Sequence, residues 1–187
     1  MLNEIKVRSF IKPQGFKKIK AYLSRQGKLL IKESQESNVL SCQRGRLYVL
    51  ASDVEFKLVY KLPAYTQGEG SIMEVLGQAS DADDLLEILH ILKFKVICRY
   101  QKKIQVWRWR GLAVTLENVR GFGLIIKLSK LVDGRFSQSA QKKLRQQLCE
   151  LLARYNLPIT PITEFNKQHR IYQKDWHRLI KKPFISV

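Results

Sequence analysis

The sequence predicts an α+β fold in which antiparallel strands are interrupted and flanked by a few amphipathic helices. Runs of alternating apolar and polar residues, separated by turn residues, fill residues 28–63 and 96–128. This period of two is typical of strands with one buried face. Apolar residues recur at helical spacing in four other segments, residues 15–26, 81–93, 137–155 and 164–180.

The N-terminal segment predicts a strand followed by a short helix. Ile5 and Val7 alternate with three charged residues, so Glu4, Lys6 and Arg8 are expected on one face of the strand. The helix at residues 15–26 is closed by Gly27. Several strands then lead to a loop at residues 64–71 and a strand at residues 72–76.

The clearest predicted helix spans residues 81–93. Ser80 or Asp81 is a suitable N-cap, and acidic residues crowd the positive end of the helix dipole. Its expected buried stripe consists of Leu85, Ile88, Leu89 and Leu92. Four strands are predicted after it, at residues 96–104, 105–110, 113–116 and 124–128.

The C-terminal third is predicted to be helical. The helix at residues 137–155 turns Leu144, Leu148, Leu151 and Leu152 inward and leaves a basic outer face. Pro158 and Pro161 interrupt the chain, and Thr163 is the expected cap of a last basic helix.

Charge is the outstanding feature of the composition. The 187 residues include 34 Lys and Arg against 16 Asp and Glu, a formal net charge of +18. Such an excess favours a polyanionic partner, although a generally basic proteome would give the same balance. Hydrophobic residues make up 45% of the chain, which excludes a wholly disordered polar protein.

The cysteines and the hydropathy pattern predict a cytoplasmic protein. Cys42, Cys98 and Cys149 are far apart and odd in number, which indicates neither a zinc cluster nor a disulfide framework. No apolar run approaches the roughly 18 residues of a membrane span, and the first residues lack an apolar signal core.

Two segments carry a resemblance to a known family. Residues 80–103 read SDADDLLEILHILKFKVICRYQKK, and residues 112–129 read LAVTLENVRGFGLIIKLS. Both are similar to segments of the CYTH superfamily, which includes class IV adenylate cyclases, thiamine triphosphatases and triphosphate tunnel enzymes. The resemblance implies an antiparallel, about eight-stranded, triphosphate-tunnel-like β-barrel over residues 1–157, with surrounding helices. A basic C-terminal helical extension follows over residues 158–187.

The family's metal-binding carboxylates are depleted in this chain. The closing Glu-x-Glu of the family's last strand is replaced by Lys127 and Ser129, and Leu76 replaces one Glu of another pair. The remaining candidate metal ligands are Glu4, Glu74 and Glu117. Because Mg²⁺ and Mn²⁺ need oxygen ligands, an ammonium at such a position weakens the site.

The phosphate-binding cations are better kept. The resemblance assigns this role to Lys6, Arg8, Lys61, Arg99 and Lys102, which offer fixed positive charge and several donors. The family's central pair of arginines falls on Tyr48 and Leu50 in the best register, with Arg44 and Arg46 two positions too early.

Two further features have ordinary structural explanations. The run VWRWRG resembles a nucleic-acid contact, but alternation of Trp107 and Trp109 with Arg108 and Arg110 is typical of a strand with one packed face. The three histidines lack the spacing of a ligand set.

The resemblance therefore implies a protein that binds a triphosphate, nucleotide or polyphosphate in a basic barrel, with impaired metal-dependent catalysis. One alternative is an active class IV adenylate cyclase or triphosphatase, which would use Mg²⁺ or Mn²⁺; the inactive protein would need no cofactor. The other is a basic RNA-binding or ribonucleoprotein structural component. Its expected nucleic-acid contacts lie in the C-terminal extension, at Lys167, Arg170, Lys174, Arg178, Lys181 and Lys182. The alternative for this extension is a helix that docks through its apolar and aromatic face and only closes one end of the barrel.

Overall fold

A single antiparallel sheet of eight strands forms the centre of the molecule. The computed structural model describes residues 2–42, 45–61, 72–133, 137–157 and 159–187. The strands are β1 (Leu2–Phe10), β2 (Lys28–Leu40), β3 (Arg46–Ser52), β4 (Glu55–Lys61), β5 (Ile72–Gln78), β6 (Val96–Trp109), β7 (Leu112–Val119) and β8 (Gly123–Asp133). Their order across the sheet is β1-β8-β7-β6-β2-β3-β4-β5. The predicted α+β class is confirmed, but the sheet stays open, with β1 and β5 as its edges.

Four α-helices accompany the sheet, and their starts follow local sequence signals. They are α1 (Pro13–Gln26), α2 (Ala82–Ile91), α3 (Gln138–Arg154) and α4 (Ile162–Leu179). Pro13 occupies the first turn of α1, where its missing N–H costs nothing. Ser137 caps α3, because its hydroxyl accepts a hydrogen bond from the Ala140 amide at 3.3 Å.

The sheet is curved, and its convex face packs against α1, α2 and α3. Phe16 and Leu23 of α1 and Leu148 of α3 join one core with residues of β1 and β6–β8, including the buried Trp107 and Trp109. A second core joins α2 to β2 and β3. The two tryptophans are therefore structural, as their alternation predicted.

The concave face packs against α4 alone among the helices. Phe165 and Tyr172 are only 4% and 1% exposed, and they join a core with residues of β2, β6, β7 and β8. Phe165 inserts between two side chains of β1: its ring stacks on Phe10 with centroids 4.3 Å apart, and the Arg8 guanidinium lies 4.2 Å from its centroid.

The chain after α4 crosses the β7–β8 turn and lies on the convex face. The Asn118 side chain donates a hydrogen bond to the Ile185 carbonyl at 2.8 Å. The Phe184 ring lies under two cations, 4.8 Å from the Lys103 ammonium and 4.5 Å from the Arg120 guanidinium. Residues 162–187 thus contact both faces of the β7–β8 hairpin.

Several local predictions need correction. The two strands expected at residues 96–110 are one continuous strand, β6. Ile88 and Leu92 are 53% and 62% exposed, and the buried side of α2 is formed by Leu85, Leu86 and Leu89 instead. Helix α4 begins one residue before Thr163, with Pro161 as its N-cap.

Two remaining predictions concern the loop before β5 and membrane-spanning segments. The loop predicted at residues 64–71 lies outside the described residues, as does Arg44. In the described part of the chain, every helix is too short or too polar to cross a membrane.

Candidate anion-binding cavity

A cavity of about 300 Å³ lies between the concave face of the sheet and α4. Its apolar lining includes Val39, Val59 and Ile125 from the sheet and Phe165 from α4. Its charged and polar lining comes from five different strands: Arg8, Gln35, Lys61, Lys102 and Glu117. A small charged ligand therefore meets several donors at once.

Strand register explains why the cations share this face. Directly paired residues of neighbouring antiparallel strands point to the same side. Arg8 pairs with Lys127, and Lys6 pairs with Ser129. Lys102 pairs with Gln35, and Lys61 ends β4 on the same face as Val59. Curvature of the sheet then brings the cations of β1 toward those of β4 and β6.

The pKa of Lys61 responds to the neighbouring cations. The pKa of its ammonium is lowered first by burial and then by the positive charges of Lys6 and Lys102, with a smaller effect of Lys127. Glu74 opposes this shift. Burial also lowers the pKa of Arg8, against the charge of Glu117. The folded protein thus concentrates mutually repelling charges that an anion would neutralise.

Arg99 lies apart from this group. It occupies the opposite face of β6 from Tyr100 and Lys102, and its Nε atom donates a hydrogen bond of 2.8 Å to the Asn38 side chain. The same atom lies 3.4 Å from the Glu36 carboxylate. The structure thus brings together Lys6, Arg8, Lys61 and Lys102 of the predicted phosphate ligands, and it leaves Arg99 on the convex side.

Glu4 is held between two ammonium groups. Its carboxylate lies 3.0 Å from the Lys6 ammonium and 3.7 Å from that of Lys127. Burial opposes ionisation of this carboxyl, but the hydrogen bond from Lys6, the charge of Lys127 and the hydrogen bond from Ser129 outweigh it, and the pKa of Glu4 falls below its usual range. Lys127 and Ser129 thus contact the one carboxylate that remains on β1.

The donor set does not fit a divalent metal. Glu74 lies 3.7 Å from the Lys57 ammonium, and the charge of Glu117 acts on Arg8. Each of the three candidate ligands therefore already faces a cation. Within the described ranges, His, Cys, Asp and Glu side chains form no group of three that could hold a metal ion.

In the described part of the chain, the positions predicted for the family's central arginines carry uncharged residues. Tyr48 and Leu50 line the cavity, at the positions that the best register gives them. Arg46 pairs with Lys61 across β3 and β4, at the end of the strand. Its charge lowers the pKa of His169, so it lies near the cavity without lining it.

Helix α4 closes one side of the cavity, which is one of the two roles expected for the C-terminal extension. His169 lines the cavity, and its Nε2 atom shares a hydrogen bond of 2.7 Å with the Tyr100 hydroxyl. Burial lowers the pKa of His169, helped by the charges of Arg46 and Arg8. Phe165, His169 and Tyr172 recur at helical spacing, which is the one signal that indicated an inward face.

The basic residues of the C-terminal extension all face solvent. Arg178 lies 3.1 Å from the Asp175 carboxylate, which is an exposed pair. The six expected nucleic-acid contacts are exposed: Lys167, Arg170, Lys174, Arg178, Lys181 and Lys182. Docking of α4 through its aromatic side thus leaves its cations outward.

The comparisons with known proteins identify the fold. No protein-family model matches the sequence, and no curated protein matches it. Among solved structures, a Pyrococcus horikoshii protein matches with a TM-score of 0.65 and 20% identity, over 90% of this chain and 100% of that one. A Vibrio parahaemolyticus protein named as a candidate adenylate cyclase matches with a TM-score of 0.60 and 15% identity, over 83% and 89%. The fold is CYTH-like.

A third match is a chain of the Mediator head module of Schizosaccharomyces pombe. Its TM-score is 0.56 at 9% identity, and the match covers 82% of this chain and 94% of that one. Likeness at these identities concerns the fold and does not extend to activity.

Proposed function

We propose that this protein binds a triphosphate or a similar polyanion in the concave cavity, by means of its own cations and without efficient metal-dependent catalysis. The observation that supports this is that Lys6, Arg8, Lys61 and Lys102 share the concave face, where burial and then the charges of Lys6 and Lys102 lower the pKa of Lys61. Phosphate oxygens accept several charge-assisted hydrogen bonds, so one ligand can engage several of these cations.

The ion pairs of the remaining carboxylates argue against metal-dependent catalysis. An active cyclase or triphosphatase would need carboxylates free to hold the metal beside the phosphates. Here Glu4 is engaged by Lys6 and Lys127, and Glu74 lies beside Lys57. Lys127 provides positive charge at the β1–β8 pair, where the family's last strand places an acidic group.

Titration calorimetry with tripolyphosphate, in the presence of a chelator, tests the binding. Replacing Lys61 or Arg8 by Gln should each weaken binding by about 1–3 kcal/mol, the scale of a charge-assisted hydrogen bond. The matched control is Arg99→Gln, which removes the same charge from the opposite face and should leave affinity unchanged. Equal losses in Arg8→Gln and Arg99→Gln would mean that only net charge matters and would refute the assigned site.

Product assays test the catalytic part. Wild-type protein with ATP or tripolyphosphate and Mn²⁺ should release phosphate or form cyclic AMP at most very slowly. Robust turnover of either substrate would establish the active cyclase or triphosphatase instead.

A second candidate function is supported by the outward cations of α4. Six exposed Lys and Arg residues on a docked C-terminal segment would suit a nucleic-acid surface. The structural likeness to a chain of the Mediator head module indicates that this fold also occurs in a large assembly.

A further inference from the structure

A second basic groove lies outside the cavity, between the open edge of β1 and helix α3. Its volume is about 760 Å³. β1 contributes residues 4–8, α3 contributes Gln138, Gln141, Lys142 and Arg145, and residues 159–162 close one end.

Cations dominate the charge of this groove. Among the described residues that line it, Lys6, Arg8, Lys142 and Arg145 face a single carboxylate, that of Glu4. That carboxylate is already engaged by Lys6 and Lys127. Among the described residues no ion pair engages Lys142 or Arg145, and both are exposed. The groove therefore carries positive charge that the protein itself does not neutralise.

The basic side of α3 is arranged as a line. Gln138, Lys142, Arg145 and Cys149 follow the spacing of one helix face and all line the groove. At a rise of 1.5 Å per residue, this line is roughly 16 Å long. It begins at the N-terminal end of α3, where the helix dipole adds to the positive potential.

The groove continues into the cavity. Arg8 and Phe165 line both spaces, and the Arg8 guanidinium rests over the Phe165 ring at 4.2 Å. Lys6 lines the groove, and its charge also acts on Lys61 on the other side. A ligand that leaves the cavity past Arg8 thus enters a second row of cations.

The aromatic contacts favour a phosphate chain without bases. Single-stranded nucleic acid usually binds where bases stack on free aromatic faces. Phe165 is the aromatic residue of the groove lining, and its ring is sandwiched between Phe10 and Arg8. Phe165 is only 4% exposed, so its ring is not open to a base.

We propose that the β1–α3 groove is an extension of the anion site and binds the outer part of a linear inorganic polyphosphate whose end lies in the cavity. This inference rests on the proposed function, because it places the chain end among the cavity cations. Lys142 and Arg145 would contact a long polyphosphate chain but not a tripolyphosphate, so they would contribute to the affinity for the long chain only.

The test compares two ligands on the full-length protein. In Lys142→Gln/Arg145→Gln, affinity for a polyphosphate of several tens of units should fall about tenfold, and affinity for tripolyphosphate should change little. The control Lys17→Gln/Arg25→Gln removes the same charge from exposed positions of α1 that do not line the groove. It should bind both ligands like the wild type, and circular dichroism verifies that each variant is folded.

Each other outcome has a distinct meaning. If the wild type binds neither ligand, the proposed function itself fails. If it binds both and the groove variant keeps its affinity for the long chain, only the groove is refuted. Equal losses in the groove and control variants would assign the effect to net charge and also refute it. If a single-stranded oligonucleotide, and not polyphosphate, loses affinity in the groove variant, the ligand is nucleic acid and the polyphosphate assignment is overturned.

Discussion

Removing the Glu4 carboxylate should have opposite effects on triphosphate affinity in a metal-dependent site and in a site built only from cations. In a metal site, this carboxylate is a ligand, and its loss weakens binding of the triphosphate. In the present structure it lies 3.0 Å from Lys6 and 3.7 Å from Lys127, so it competes with a ligand anion for both ammonium groups. Removing its charge releases those cations.

Glu4→Gln should therefore bind tripolyphosphate more tightly than the wild type, by about fivefold, as expected for one partly exposed charge interaction. Calorimetry without divalent ions measures this. Glu87→Gln, an exposed carboxylate of α2, has the same change of net charge and serves as the control. Weaker binding in Glu4→Gln would show that the carboxylate assists the anion, as it does in a metal site.

The alternation of residues along strands determined which site residues were predictable. Glu4, Lys6 and Arg8 are two apart, so the sequence correctly placed them on one face. Arg99 was grouped with Lys102, but residues three apart on a regular strand point to opposite faces. Cys98, Tyr100 and Lys102 share the concave side, and Arg99 pairs with Glu36 and Asn38 on the other. The prediction for Arg99 rests on the family motif, which conflicts at this position with the alternation of side chains along the strand.

At the scale of elements, α4 forms one wall of the cavity. Periodicity showed that one side of the helix is aromatic, but it contains no information on which surface that side covers. The error in α2 has the same origin, since a stripe that contains Ile88 and Leu92 and one that contains Leu86 both fit the helical period. Leu85 and Leu89 pack inward as predicted, and contacts with β2 and β3 add Leu86.

Gly121 fixes the position of the C-terminal end of α4. Its φ is +68°, and a Cβ atom there would lie 2.1 Å from the Leu179 carbonyl oxygen. Gly121→Ala should destabilise the protein by about 2–3 kcal/mol, which combines the left-handed backbone with displacement of α4. Gly111 has a φ of +72° with open space around it, so Gly111→Ala should cost about 1 kcal/mol. Urea unfolding of both variants measures the difference, and equal losses would show that the α4 contact contributes nothing.

His169 makes the docking of α4 sensitive to pH. Burial, Arg46 and Arg8 lower its pKa below the ordinary value of 6.5, with a smaller effect of Lys102 and an opposing hydrogen bond to Gln173. The folded state thus resists protonation, and this contribution to stability is complete above pH 6.5 and is lost as the pH falls. Tripolyphosphate adds negative charge beside the imidazole and should raise its pKa.

NMR titration of the His169 imidazole checks this, with the resonance assigned from a His169→Gln variant. The pKa should lie below 6.5 in the free protein and move upward when tripolyphosphate is added. An unchanged pKa at saturating ligand would place the anion elsewhere.

At the scale of the whole molecule, the sequence determined the class of fold but not its closure. Strand and helix patterns are local, and their order along the chain was largely predictable. Whether β1 and β5 meet depends on the accumulated twist and curvature of eight strands. Twist and curvature depend on the packing of α4 on one face of the sheet and of α1–α3 on the other. The sequence of a single segment does not determine that packing.

Within the net charge of +18, the cavity and the outer side of α4 are two basic surfaces that would suit different anions. The cavity gathers a few cations around a small volume, where a compact anion meets several donors. The outer side of α4 spreads six cations along a helix of 18 residues and the turn after it. An extended polyanion would suit the second surface better, because it releases more counterions on binding.

Deletion of residues 164–187 is an unsuitable test of that surface, because Phe165 and Tyr172 belong to the core. A better variant replaces only the outward cations by Gln: Lys167, Arg170, Lys174, Arg178, Lys181 and Lys182. RNA binding by this sextuple variant should be much weaker, and the dependence of its affinity on salt should be flatter, since about six phosphate contacts are lost.

Tripolyphosphate binding should stay close to that of the wild type, because none of the six replaced residues lines the cavity. Fluorescence anisotropy with a single-stranded RNA at several salt concentrations measures the first effect, and calorimetry measures the second. If the variant binds RNA as tightly as the wild type with the same salt slope, the C-terminal helix serves only to build the cavity wall. If both ligands are lost together, RNA and tripolyphosphate compete for the concave cavity, and a displacement titration between them would show it.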